Sequence, residues 1–239
     1  NSTAVYWKNK TPVQINQGKN ASVYGIAVSG TDVYLAGAIF TPIAKATYWK
    51  NGVAVTLDNN LSYANAITVV GSDVVVAGTV GSNAVYWING IPRILTTDGT
   101  ATCVAVYDTS VYVGGTKKYA GGKYAATYWK NGVAVPLADT TGTSSVTNIT
   151  VVNNTVYTSG VVGNPGYWIN NNFFFLPQGA VPTNCFIAVK GSDIYLATNQ
   201  LNSNGTTGPI YYKNGQQAPL PAMNDAGVNT TAAAITITR

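Results

Sequence analysis

The acidic residues are the first candidates for chemistry in this sequence, and all eight of them are Asp. Glu and His are absent. Without His, neither a Ser-His-Asp or Cys-His relay nor a His-ligated zinc or iron site can be assembled. Paired Asp side chains could still hydrolyse a glycosidic bond, and Asp with backbone carbonyls could hold calcium. The composition therefore excludes most enzyme classes and leaves Asp-dependent glycosidases open.

Four of these Asp residues, Asp225 among them, stand in segments that we expect to connect neighbouring sheets, and the candidates are Asp58, Asp98 and Asp139. A ring of carboxylates at one mouth of the fold would bind sugar hydroxyls or calcium. Their offsets from the preceding Leu differ, so they do not share a register. Asp is also a common turn former, because its side chain hydrogen-bonds the nearby backbone. We keep them as candidate ligand-binding residues and predict no catalytic residue, no metal site and no cofactor.

A second candidate is the segment 116–124, which departs most from the rest of the chain. It places three Lys and two Tyr around a Gly-Gly pair: Lys117, Lys118, Tyr119, Lys123 and Tyr124. Lys interleaved with aromatic rings suits an acidic or glycan partner, and binding residues are often found on loops carried by a rigid scaffold. The alternative is a solvated loop tip. We include these five residues as candidate ligand contacts.

The scaffold is indicated by six near-copies of one phrase, an aromatic pair followed by one variable residue, then Asn and in most copies Gly. The copies begin at Tyr6, Tyr48, Tyr86, Tyr128, Tyr167 and Tyr211. Successive copies are about 40 residues apart, and self-similarity at that period is typical of repeat architectures.

One repeat, residues 64–95, reads as four short strands separated by turn residues. Asn89-Gly90 favours a two-residue hairpin, which a parallel β-solenoid would lack. Pro92 falls in the fourth strand, which must be an edge strand because Pro cannot donate to the ladder. Four antiparallel strands per period predict a propeller blade. We therefore predict an all-β fold, a six-bladed β-propeller with four-stranded antiparallel blades.

The two ends of the chain are predicted to share one blade. Residues 232–238 read as an inner strand, whereas residues 3–8 and 11–15 read as the third and fourth strands of a blade. Pairing these N- and C-terminal strands closes the ring and removes open sheet edges. On this interpretation, residues 1–239 form a single β-propeller domain, although the shared blade lacks an obvious second strand.

The largest apolar side chains are predicted to be structural. Both faces of a propeller sheet pack on neighbouring blades, so the repeated Trp is expected to fill the space between blades. Cys103 and Cys185 fall on inner strands of blades that are not neighbours, which predicts two buried free thiols. The Trp residues of the series are Trp7, Trp49, Trp87, Trp129 and Trp168.

The blade end that carries the Asn-Gly turns is predicted to be inert. Asp there favours the turn between the first two strands, and the Lys of the neighbouring hairpin forms only weak ion pairs with it. The residues concerned are Asp32, Asp73, Asp193, Lys8, Lys50, Lys130 and Lys213.

Over the whole chain, these repeats resemble the Tyr-Trp-Lys-Asn-Gly repeats of secreted and surface-exposed bacterial proteins, and more loosely lectin-type and adhesin-type propellers. The resemblance implies an extracellular or cell-surface location and a carbohydrate-binding or adhesive role. Because the shared motif is structural, it assigns no functional residue. Only 9% of residues are charged, which agrees with the Asn-, Thr- and Ser-rich surfaces common in secreted proteins.

These observations favour a non-catalytic extracellular binding or adhesion module that recognises glycans or surface proteins through the loops between blades. One alternative is a structural or passenger domain of a larger surface protein, with further domains of the same polypeptide as partners. The other is an Asp-dependent glycan-cleaving propeller enzyme. Nucleic acid is not expected as a partner, since only two of thirteen basic residues are Arg. No apolar run is long enough for a membrane span.

Overall fold

The computed structural model describes residues 4–15, 20–138, 142–177, 180, 184–201, 205–218 and 231–236. The chain divides into two compact units, one of residues 1–117 and 129–134, the other of residues 118–128 and 135–239. Within the described residues all regular structure is β, arranged in six antiparallel sheets. The same residues contain no helix that is long and apolar enough to cross a membrane.

The first sheet has two strands and each of the other five has four strands in chain order. We call the five larger sheets blades 1 to 5. The first sheet contains β1 (Val5–Lys8) and β2 (Thr11–Gln14). Blade 1 contains β3 (Ala21–Ser29), β4 (Asp32–Phe40), β5 (Ala44–Lys50) and β6 (Val53–Thr56). Blade 2 contains β7 (Ser62–Val70), β8 (Asp73–Val80), β9 (Asn83–Ile88) and β10 (Ile91–Thr96). Blade 3 contains β11 (Gly99–Tyr107), β12 (Ser110–Lys118), β13 (Tyr124–Lys130) and β14 (Val133–Pro136). Blade 4 contains β15 (Ser144–Val152), β16 (Thr155–Val162), β17 (Asn164–Ile169) and β18 (Asn172–Phe175). Blade 5 contains β19 (Phe186–Lys190), β20 (Asp193–Leu201), β21 (Thr207–Lys213) and β22 (Gln216–Ala218).

The hairpin between the third and fourth strands has the backbone that the Asn-Gly pair predicts. In blade 1, Asn51 has φ of 50° and Gly52 has φ of 84°. Two successive positive φ values are the requirement of a type I′ turn, which matches the twist of the flanking strands. In blade 4 the turn begins at Asn170, with φ of 53°, although Asn and not Gly follows it.

A β-bulge recurs between the first two strands of blades 1 to 4, and a glycine of the second strand lies opposite it. In blade 1 the register shifts between Val23 and Gly25. A Cβ added to any of the opposing glycines would lie 1.9 Å from a backbone oxygen of the first strand, so only glycine fits. These glycines are Gly37, Gly78, Gly115 and Gly160.

Blade 5 carries Thr198 where the other blades have this glycine, and its first strand is shorter. β19 has five residues, whereas β3 has nine. Thr198 Oγ1 donates to the backbone oxygen of Asn184 at 3.1 Å, just before β19 begins. The described pairs of β19 and β20 contain no register shift, and Asn184 and Cys185 lie outside the strand.

The Trp residues of blades 1 to 4 are completely buried, as predicted, and fill space against the preceding sheet. Trp87 of blade 2, for example, belongs to a cluster with Ala36 and Ala46 of blade 1. The prediction is wrong for Trp7, which is 68% exposed. The buried residues are Trp49, Trp87, Trp129 and Trp168.

Cys103 and Cys185 are both buried free thiols, which confirms the prediction. Burial raises the pKa of each thiol to about 12. Because the thiolate is the reactive form, both side chains act as small apolar core residues.

Of the predicted shared blade, the described residues contain the two N-terminal strands, β1 and β2. No strand forms over residues 231–236, where an inner strand is predicted, and residues 237–239 lie outside the described part. Successive alanines at 232–234 offer little of the side-chain packing that stabilises strands. The backbone N–H of Ala232 donates to Asn199 Oδ1 of blade 5 at 2.7 Å. Closure of the ring and the single domain over 1–239 stay predictions.

Candidate functional site

The segment 116–124 is a short turn fixed by hydrogen bonds. β12 runs to Lys118 and β13 begins at Tyr124, so the connection is shorter than the sequence suggests. The backbone N–H of Tyr119 donates to the oxygen of Lys123 at 3.0 Å. The Tyr119 hydroxyl lies 3.1 Å from Oγ1 of Thr127, which is buried in β13. Tyr119 therefore anchors the turn to its own sheet.

The remaining predicted contact residues of this segment differ in exposure. Lys118 and Lys123 are exposed, Tyr124 is 39% exposed, and Lys117 is half-buried near the end of β12. Lys118 Nζ lies 5.9 Å from the centre of the Tyr124 ring, within the range of a cation–π contact. The structure thus brings Lys118 and Tyr124 together as one cationic and aromatic surface.

All charged residues in the sequence around this segment are Lys. No carboxylate occurs between Asp108 and Asp139, a stretch that contains four Lys. Elsewhere in the chain, Lys50 and Lys213 form ion pairs with Asp32 and Asp193, at 2.9 and 2.7 Å. Across the ladder, Gly99 of β11 pairs with Lys117, so Asp98 is the nearest acidic residue to the start of this segment in the sheet.

The predicted acidic contacts are not brought into one site. Asp58 lies between β6 and β7, where its Oδ1 accepts from the Asn60 backbone N–H at 2.8 Å, the pattern of a turn former. Asp98 is half-buried between β10 and β11. Asp139 lies outside the described residues. In the part of the chain that the structure describes, no group of three Asp or Cys side chains could hold a metal ion.

The turn end of blades 1 and 5 contains one ion pair in each blade. Lys50 Nζ lies 2.9 Å from Asp32 Oδ2, and 5.3 Å from the centre of the Tyr34 ring. The hydrogen bonds from Asn51 and Lys50 lower the pKa of the Asp32 carboxyl, and the bond with Asp32 raises the pKa of Lys50. In blade 5, Lys213 has the same relation to Asp193.

The Asn of the repeated phrase has a role that the sequence analysis missed. Asn51 Oδ1 accepts from the backbone N–H of Val33, and its Nδ2 donates to Asp32, at 2.9 and 2.8 Å. The side chain therefore ties the hairpin of the third and fourth strands to the turn between the first two. We call this the Asn clamp: Asn Oδ1 accepts a hydrogen bond from a backbone N–H of the second strand. It recurs in every blade, at Asn51, Asn89, Asn131, Asn170 and Asn214.

The outer strand of blade 4 was also missed. β18 reads Asn-Phe-Phe-Phe, and Phe174 and Phe175 are 42% and 62% exposed. A signal was present in the sequence, because three of the five Phe of the chain are consecutive here. In addition, no charged residue occurs from 140 to 189. Blade 4 thus presents a neutral aromatic surface.

No known protein family matches the chain, and no curated protein matches it either. Among solved structures, it is similar to a chain of a nidogen/laminin complex, with 12% identity, a TM-score of 0.51, and coverage of 90% of this chain and 87% of that one. It also resembles a GH43_12 protein from a capybara gut metagenome (14% identity, TM-score 0.44) over 86% of this chain and 55% of that one. A third similar structure is Drosophila Semaphorin 1b, extracellular domains 1-2 (10% identity, TM-score 0.44), over 83% and 55%.

The likeness to the nidogen/laminin structure bears on the fold alone. Together with the six antiparallel sheets, it shows that the chain has the all-β propeller fold that the repeats predict.

Proposed function

We propose that this protein is a non-catalytic extracellular binding module that recognises acidic glycans through the segment 116–124 of blade 3. The observation that carries the proposal is the exposure of Lys118, Lys123 and Tyr124 on a hydrogen-bonded turn, within a stretch that has no carboxylate. A fixed turn loses little conformational freedom on binding, which favours affinity.

The chemistry of this segment suits a polyanion. Lys is a point charge with three donors, and it can approach carboxylates or sulfates from several directions. Tyr124 adds an apolar ring face and a hydroxyl beside Lys118, which suits a sugar ring with both apolar and polar surfaces. The absence of His and Glu from the sequence supports binding without catalysis.

A surface protein is the second candidate partner. The similar chain of the nidogen/laminin structure belongs to a complex between two proteins. The resemblance to repeats of bacterial surface proteins supports the extracellular setting for either partner.

The proposal is tested by titrating the full chain with polygalacturonate and with neutral dextran, using calorimetry. We expect binding to polygalacturonate alone. The double variant Lys118→Gln/Lys123→Gln should weaken it about tenfold, a loss of about 1.4 kcal/mol. The matched control is Lys50→Gln/Lys213→Gln, which removes the same net charge from two Lys already paired with Asp.

Equal weakening by both double variants would assign the binding to net charge and contradict a site on this segment. Unchanged binding by Lys118→Gln/Lys123→Gln would contradict it as well. Asp58→Asn and Asp98→Asn test the glycosidase alternative. If the parent chain cleaves a glycan and either variant loses that cleavage, the protein has a catalytic function and the proposal is wrong.

A further inference from the structure

The outer strand β18 has one edge without a strand partner among the described residues. In an antiparallel pair, successive residues direct their N–H and C=O alternately toward and away from the neighbouring strand. The Leu176 N–H donates to the Pro165 oxygen of β17 at 3.1 Å, so Phe174, two positions earlier, also faces β17. Phe173 and Phe175 therefore direct their N–H and C=O groups toward the open edge.

In three other sheets, a proline occupies one of these two outward positions. Pro12 and Pro92 are each paired with the Trp of the neighbouring strand, as Phe173 is in blade 4. Pro136 immediately precedes Leu137, whose N–H donates to the third strand of blade 3. Phe175 precedes Leu176 of blade 4 in the same way. Proline offers no N–H and so blocks pairing at an exposed edge. β18 has no such block.

The Phe side chains of β18 are held by the strand behind them. The Phe173 ring lies 4.5 Å from the Trp168 ring, above Gly166, where an added Cβ would come within 2.4 Å of Phe173 Cζ. On the other face, the Phe174 ring stacks on Tyr167 at 5.2 Å with an interplanar angle of 17°. Contacts with β17 thus hold the Phe173 and Phe174 rings in place before any partner binds.

Charge also distinguishes β18 from the other outer strands. Its side chains are uncharged, and the nearest charged residues in sequence are Asp139 and Lys190. In β10, Arg93 is paired with Tyr86 in the register that Phe174 has with Tyr167. Two β10 strands brought edge to edge would set Arg against Arg, and two β18 strands would not.

We propose that β18 is a self-association edge that pairs with β18 of a second copy of this chain. A two-fold axis through Phe174 places Phe173 of each copy opposite Phe175 of the other. Both pairs then exchange N–H···O=C bonds, which uses all the outward-facing groups of Phe173 and Phe175. The two Phe174 rings meet across the axis as a close cross-strand aromatic pair.

The dimer is expected to be weak. Four residues from each copy bury far less than the roughly 1,200 Å² of a stable protein–protein interface. Association should therefore rise gradually between micromolar and millimolar protein concentration. It does not depend on the proposed glycan binding, and either proposal can fail without the other.

The test is sedimentation equilibrium of the full chain over that concentration range. Phe175→Pro copies the proline that blade 3 carries at this position, so the fold should accept it, and the dimer should disappear. The matched control is Thr56→Pro in β6, the corresponding position of another outer strand without proline, where β6 has Val and Ala in place of Phe. This variant should associate like the parent chain.

A second variant avoids dependence on proline. Phe174→Arg copies Arg93 of blade 2 and places two like charges at the two-fold axis, so it should also abolish association at low salt. A parent chain that stays monomeric at millimolar concentration would overturn the proposal. So would association that survives in both β18 variants while their circular dichroism stays native, or that is lost in Thr56→Pro.

Discussion

Blades 3 and 4 come from neighbouring repeats and present different chemistry at their surfaces. The turn after β12 is cationic, with Lys118, Lys123 and Tyr124 exposed. β18 is neutral and aromatic, with Phe174 and Phe175 exposed. Electrostatic attraction acts at long range and is screened by salt, whereas apolar and strand pairing act only on contact. One framework therefore carries two surfaces that suit different kinds of partner.

Comparison of the two blades shows which positions of the repeat keep the same residue and which vary. Both blades keep the bulge glycine, the buried Trp and the Asn clamp. The variation lies in the connection between the second and third strands and in the outer strand. These are the positions where a side chain can change without disturbing a neighbouring sheet.

The largest effect is expected at the shared glycine. Gly115→Ala in blade 3 and Gly160→Ala in blade 4 each place a Cβ 1.9 Å from a backbone oxygen, which the bulge cannot relieve without moving. We expect each variant to lower the free energy of unfolding by about 3 kcal/mol, measured in urea. A cost below 1 kcal/mol in one blade only would show that the two frameworks are not equivalent.

The second effect separates the blades. Gly166→Thr gives blade 4 the residue that blades 1 and 3 have as Thr47 and Thr127. It should cost about 2 kcal/mol, because the added Cβ would come within 2.4 Å of both the Phe173 ring and the Phe174 backbone oxygen. Adding Phe173→Ala removes the ring contact and leaves the contact with the backbone oxygen, so it should recover part of that loss, as urea unfolding of the single and double variants will measure. Simple additivity of the two changes would contradict the complementary packing of Gly166 and Phe173.

The Asn clamp should have a smaller and equal effect in both blades. Asn131→Gly and Asn170→Gly keep the positive φ of the turn but remove the acceptor of the Val111 and Val156 N–H groups. A loss of about 1 kcal/mol is expected for each. Hydrogen exchange at these two amides is the direct measurement, and unchanged protection would mean that another group accepts the bond.

The smallest effect is that of salt on the two surfaces. Raising the ionic strength from about 0.05 to about 0.5 M should weaken polygalacturonate binding by about threefold or more, because screening shortens the range of the Lys charges. Self-association through β18 should stay constant or increase slightly. Equal salt sensitivity of both would remove the distinction between a cationic and a neutral surface.

Much of the framework follows from the sequence because it depends on local rules. Asn-Gly fixes the hairpin, and apolar runs of period two fix the strands beside it. The predicted strand over 84–88 is found at Asn83–Ile88, and the fourth strand predicted over 91–95 at Ile91–Thr96. Trp burial follows from a sheet packed on both faces, and it fails at Trp7, whose sheet has two strands in the part of the chain that the structure describes.

The sites were less predictable because they depend on register and on distant residues. Lys117 and Lys118 are adjacent, yet only Lys118 is exposed, because β12 continues to this point and alternates its side chains. The Asn clamp joins residues 14 to 20 positions apart, which only the paired turns reveal. The outward proline could have been found from the sequence, since Pro12, Pro92 and Pro136 all follow the Asn of their hairpin at an odd offset.

That odd offset has a consequence for how such a chain can grow. Each time a gene of this kind gains a blade by internal duplication, it also gains an unprotected sheet margin that can pair with other molecules. Whether proline stands three or five residues after the Asn decides if the edge of the new sheet is blocked or can pair. Solubility and assembly of the enlarged protein can then evolve separately from the scaffold that both require.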